Sequence, residues 1–170
     1  QALKEVEENA SARVLVLRSE GKNFSAGADL NWMRSMADKN YQQNVEDAGE
    51  LGLLMERLDL LSKPSIALVQ GAAFGGAVGL AACCDIVLAQ PRSSFCLSEV
   101  KIGLIPAVIS PYVVRTIGER QSRRYMLTAE RFFADEAQKL GLVNDVVDDF
   151  EEPLNNLLDA LLANSPLAVT

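Results

Sequence analysis

The stretch GAAFGGAVGLAACCDI, Gly71 to Ile86, sets two adjacent glycines, Gly75 and Gly76, at the head of an alanine-rich, helix-forming run, with Gly79 one turn later. Glycine in a helix interior costs about 1 kcal/mol relative to alanine, so the local structure must gain something from each. The run follows PSIALVQG, whose short apolar segment reads as a buried strand, and the helix is expected to begin directly after it. The first amides of a helix have no intrahelical partner and carry the positive end of its dipole. Without Cβ atoms at Gly75 and Gly76, that end suits an oxygen gaining negative charge, either a phosphate or an enolate. The competing reading is glycine for close packing of helix on strand, which the spacing alone does not separate from the first. No GK[ST] follows, so the segment is not a P-loop.

A second junction of the same kind lies upstream. RVLVLRS, Arg13 to Ser19, reads as a buried strand; a turn at Glu20-Gly21-Lys22 leads into FSAGADLNWM, Phe24 to Met33, with a helix opening at Asp29. Asp29 suits the N-cap of that helix. Ala26-Gly27-Ala28 presents backbone with minimal side chains, so two stripped junctions are in a position to aim two amides at one oxygen. Downstream, FCLSEVKIGLIP, Phe95 to Pro106, puts Glu99 in apolar surroundings just after a short strand, SSFCLS. Glu99 reads either as a helix cap or surface residue, or as a carboxyl whose burial beside a ligand raises its pKa into the range of a working acid or base.

The remaining pattern alternates. Val45, Ala48, Leu51, Met55, Leu58 and Leu61 share one helix face, ended by Lys63-Pro64. DIVLAQ (Asp85 to Gln90) reads as a strand, as does LVNDVV, and helices are expected at Ser110 to Ile117, Arg120 to Thr128, Asp135 to Leu140 (capped by Gly141) and Glu151 to Ala163. Strand and helix alternating with short crossovers predict an α/β fold in one domain over residues 1–170.

Composition narrows the chemistry. The 170 residues are 49% hydrophobic and 23% charged, which is ordinary for a globular protein. A net charge of −7 without a basic tract argues against nucleic acid as the partner, and the cluster from Arg120 to Arg131, interleaved with Glu119 and Glu130, reads as a solvated face or a local phosphate contact. No apolar run suits a membrane span, and QALKEVEENASA reads as the end of a charged helix and not as a signal peptide. Three cysteines, Cys83, Cys84 and Cys96, without CxxC spacing, suggest packed thiols in a reducing cytoplasm. Histidine is absent, which excludes Ser-His and Cys-His pairs, the HExxH zinc site and any imidazole base.

Taken together, FSAGADL, KPSIALVQGAAFGGAVGLAACCDI, SFCLSEVKIGLIP and ADEAQKLGLVNDVV resemble, in order and spacing, the crotonase or enoyl-CoA hydratase/isomerase family from about Val14 to Leu142. The resemblance implies a crotonase-like spiral of ββα units, assembled as trimers or dimers of trimers, with the chain shorter than the family at both ends. It implies an oxyanion hole made by the amides of Ala28 and Gly76, holding the thioester oxygen of an acyl-CoA while it takes enolate charge. Ala26, Gly27, Ala28, Asp29, Leu30, Gly75 and Gly76 are the implied substrate-binding residues, and Glu99 is the implied acid–base. Two-glutamate hydratases of the family carry their other glutamate where this chain has Gly79. No metal or redox cofactor is implied, since coenzyme A is part of the substrate.

In detail the motifs look most like the bacterial branch that hydrates methylglutaconyl-CoA or isohexenylglutaconyl-CoA in leucine and acyclic terpene breakdown. The expected activity is therefore hydration of a branched enoyl-CoA. The alternatives are an enoyl-CoA isomerase using one glutamate, and a non-catalytic member kept for assembly or binding.

Overall fold

A computed structural model of the chain describes residues 1–27 and 39–169. Ala28, Asp29 and Leu30, with the helix expected at Asp29, lie outside the described residues. The architecture is α/β and is built on two small sheets. In chain order the first carries β1 (Leu15–Leu17), β2 (Ser65–Val69), β4 (Ile86–Ala89) and β7 (Asp145–Val146), all parallel and in the spatial order β1-β2-β4-β7. The second pairs β3 (Ala72–Phe74) in parallel with β5 (Ser94–Cys96), which pairs antiparallel with β6 (Phe132–Phe133).

β2 explains why a continuous apolar run was needed. Side chains along a strand alternate between faces, and both faces of this one are covered. Ala67 and Val69, with Val87 of β4, join the main core, which also takes in Met55, Val78, Phe95, Ile109 and Val113. Ile66, Leu68 and Leu88 point the other way, under the helix Glu151–Ala163, whose Leu154, Leu157, Leu158 and Leu161 close that side.

The first long helix, α2 (Tyr41–Asp59; α1 is Ala2–Glu8), starts four residues before the expected Val45. Asn40 supplies a capping box: its Oδ1 accepts from the Gln43 amide, and the Gln43 Oε1 accepts from the Asn40 amide, each at 3.0 Å. The apolar face read along this helix is only half used. Met55 and Leu58 are buried, whereas Val45 is 45% and Leu51 36% exposed.

A second correction is the one that shapes the site. The helix after PSIALVQG does not begin directly from that strand, because β3 intervenes, carrying the chain from the first sheet into the second before α3 (Gly76–Cys83) begins. AAF is too short and too poor in β-branched residues to announce a strand. It pairs because Phe95 and the Phe132 ring, stacked at 5.5 Å, make the neighbouring strand surface a packed one. The helices α4 (Ser110–Ile117), α5 (Glu119–Thr128), α6 (Ala134–Lys139) and α7 (Glu151–Ala163) fall within one residue of the expected limits. No helix among the described residues is long and apolar enough to cross a membrane.

Candidate functional site

β3 also brings the two glycine-bearing junctions side by side. The segment Phe24–Ser25 lies parallel to it: the Ser25 amide donates to the Ala72 carbonyl, the Phe74 amide donates to the Ser25 carbonyl, both at 2.9 Å, and Ser25 bridges Ala73. Asn23 Oδ1 accepts from the Ala72 amide at 3.0 Å and fixes the register. Ala26 and Gly27 follow, both exposed, with Gly27 at φ +118°.

The three glycines of the helix head do three different things. Gly75, the N-cap of α3, sits at φ +58°, ψ −124°, a conformation that L side chains rarely adopt, and its amide is spent on the Cys96 carbonyl at 2.9 Å. A Cβ on Gly75 would stand 3.2 Å from Oε1 of Glu99, so the bare backbone is what the carboxylate rests against. Gly76 occupies the first helical position; a Cβ there would meet nothing within 4 Å, and among the described residues its amide has no acceptor. Gly79 is the packing glycine, buried against Ile109 and Met55. The packing reading of the GGxxG spacing therefore holds at Gly79, and the open amide of Gly76 leaves room for the other.

Glu99 opens a 3₁₀ turn, Glu99–Ile102, directly after β5 and the buried Leu97. The turn is closed by the Leu104 amide donating to the Glu99 carbonyl at 3.1 Å, with Gly103 in the left-handed region. Its side chain is half-buried, and Oε2 is buried with no hydrogen-bond partner among the described residues. Burial pushes the Glu99 carboxyl above its ordinary value, opposed only by its own backbone amide. Buried polar atoms are nearly always paired, so an unpaired carboxylate oxygen beside an open helix N-terminus calls for a functional explanation.

The other candidates settle into structural roles. Cys83 and Cys84 are pushed up to about 12 by burial, and Cys96, also raised by burial, gives its Sγ to the Ala129 carbonyl at 3.3 Å, so none is a reactive thiolate. In the arginine cluster, Arg124 pairs with Glu130, while Arg131 lies 4.7 Å over the Phe74 ring. Sequence reasoning missed Ile109 and Met55 as the neighbours of Gly79. Nothing in PAVISP distinguishes Ile109 from an ordinary core residue.

Among the described residues, an open first-turn amide thus stands beside a raised and unpaired carboxyl on an α/β framework. The comparisons with known proteins give this arrangement its family. The family model described as enoyl-CoA hydratase/isomerase matches residues 1–170. The chain belongs to the enoyl-CoA hydratase/isomerase family. It is 39% identical over 162 residues to an enoyl-CoA hydratase of Alternaria alternata, covering 93% of this chain and 52% of that protein. It is 34% identical over 164 residues to the 2,3-dehydroadipyl-CoA hydratase of Escherichia coli, covering 95% and 62%. Among solved structures, an enoyl-CoA hydratase from Shewanella pealeana superposes with a TM-score of 0.98 at 56% identity, covering 99% of this chain and 64% of the other. The chain thus spans about half to two thirds of the length of these relatives.

Proposed function

We propose that the protein is an enoyl-CoA hydratase acting on a branched α,β-unsaturated acyl-CoA, with Gly76 and Glu99 at the reacting atoms. The observation that carries this reading is the pairing of the open Gly76 amide with the unpartnered Oε2 of Glu99 across Gly75. In the proposed reaction the ionised Glu99 takes a proton from water as the hydroxyl oxygen bonds to the β-carbon. The electron pair of the double bond moves through the α-carbon onto the thioester oxygen, where the Gly76 amide, together with that of Ala28, stabilises the enolate. Glu99 then returns its proton to the α-carbon, so that one water is added and the carboxylate is restored. Coenzyme A enters as part of the substrate, and the scheme needs no metal or redox cofactor.

One carboxylate has to serve as base and then as acid. A substrate of the methylglutaconyl-CoA type carries a distal carboxylate of its own that would orient the water; Gly79 in place of a second glutamate, and the likeness of the motifs to the branch serving leucine or terpene breakdown, support this choice. Assembly as a trimer or dimer of trimers in the cytoplasm completes the proposal; free thiols at Cys83, Cys84 and Cys96 support a reducing compartment. The second reading is an enoyl-CoA isomerase, favoured by the same lone Glu99, because moving a proton between two carbons needs only one carboxylate. Turnover of linear, branched and carboxylated enoyl-CoAs by the full-length protein in heavy-oxygen water separates the two. Label in the product, fastest for carboxylated substrates, is expected; a shifted double bond without label establishes the isomerase instead. Absence of turnover together with absence of acyl-CoA binding leaves the non-catalytic member.

A further inference from the structure

Ile109 ends the loop between the 3₁₀ turn and α4 and is 2% exposed. A Cβ built on Gly79 would fall 2.3 Å from Ile109 Cγ2, 2.8 Å from Ile109 Cβ and 3.2 Å from Met55 Cε. Side chains on a helix lean towards its N-terminus, so a residue covers the turn before its own Cα. A side chain at position 79 would therefore lie over the Gly75–Gly76 turn, and the methyl group of Ile109 takes that place. Ile109 is β-branched and stiff at χ1, and both it and Met55 of α2 are buried in the main core against Gly79.

We propose that Ile109 is a specificity-determining residue: its branched side chain, packed with Met55 against Gly79, narrows the space an acyl group takes beside the Gly76 amide and excludes substituents on the α-carbon. The inference rests on the acyl-CoA reading above. An oxygen held at Gly76 places the thioester carbon and the α-carbon nearest this side chain, whereas the β-carbon and the rest of the chain lie farther along. Substrates branched at the β-carbon pass; those with an α-methyl group do not.

The experiment compares kcat/KM for crotonyl-CoA and its 2-methyl analogue in the full-length wild type, Ile109→Val and Ile109→Ala. A methylene-sized change in an apolar pocket alters selection by roughly 10–200-fold. The preference of the wild type for the unmethylated substrate is expected to fall by about tenfold or more in Ile109→Ala and by less in Ile109→Val, with the acid limb of the pH profile unmoved. Ile109→Val removes a single methyl group and supplies the answer where Ile109→Ala does not fold. In parallel, Gly79→Ala is expected to lower Tm, and Gly79→Ala with Ile109→Ala to recover part of the loss. A ratio unchanged within twofold in folded variants, or a Gly79→Ala protein as stable as wild type, overturns the assignment. A wild type that neither binds nor turns over any enoyl-CoA, carboxylated ones included, overturns the acyl-CoA reading, and this inference with it; an active wild type with an unmoved ratio removes only Ile109.

Discussion

At the scale of single residues, the proposed site rests on what Gly76 and Glu99 leave unpaired among the described residues. Gly76→Pro deletes the open amide at a helix position where proline is well tolerated, after a residue already in non-helical geometry. Catalysis is expected to fall by about 10²–10³ with the circular dichroism spectrum retained; full activity in a folded variant removes Gly76 from the mechanism. Glu99→Gln should separate stability from activity. Because burial raises the folded-state pKa of Glu99, the native protein binds more protons than the unfolded chain between the two values, and stability falls as pH rises through that window. Glu99→Gln is therefore expected to have a higher urea midpoint than wild type near pH 7, no advantage below the unfolded carboxyl pKa of about 4.3, and almost no turnover. A variant no more stable than wild type at pH 7 contradicts the burial argument. Gly75, Gly76 and Glu99 were all legible in the sequence, because glycine at a helix head and a lone acid in apolar surroundings both conflict with local preference. Ile109 was not, since a core isoleucine conflicts with nothing.

At the scale of elements, the long periodic segments were legible, as were the strands β1, β2, β4, β5 and β7, whereas β3 and β6 were not. α4 and α7 carry their limits in composition, whereas β3 and β6 exist only through pairing with β5, which no local pattern encodes. α2 overran its reading because the capping box of Asn40 and Gln43, not the apolar face, sets its start. A clamp joins the strands on either side of β3 and α3. Asp85 Oδ2 accepts from the amide of the buried Ser65 at 2.8 Å and from its hydroxyl at 2.7 Å, and the Asp85 amide donates to Ser65 Oγ at 3.0 Å. Asp85→Ala strands the Ser65 amide and is expected to cost about 1–3 kcal/mol, measured as a shift of the urea midpoint. Asp85→Asn, which keeps an acceptor, should recover much of that loss. Equal stability of the alanine variant and wild type would falsify the clamp.

At the scale of the whole molecule, the main core is lined by thiols that must stay protonated. Burial holds Cys83 and Cys84 at about 12, while an unfolded thiol titrates near 8.5, so the unfolded chain releases protons first as pH rises. Above the Glu99 window the thiols add no pH dependence up to about pH 8; beyond it stability should decline steadily, and Cys83→Ala should make that decline shallower. Urea midpoints that stay flat from pH 8 to pH 10.5 are the contrary result. The central claim is that two sheets and a three-residue strand bring an open amide and a raised carboxyl to one acyl-CoA. Its most direct measurement is a crystal structure of the full-length protein with a saturated acyl-CoA bound. The thioester oxygen is predicted at about 2.7–3.1 Å from the Gly76 nitrogen, with the Glu99 carboxylate facing the α- and β-carbons. A thioester oxygen bound away from Gly76, or Glu99 turned to other partners, contradicts it.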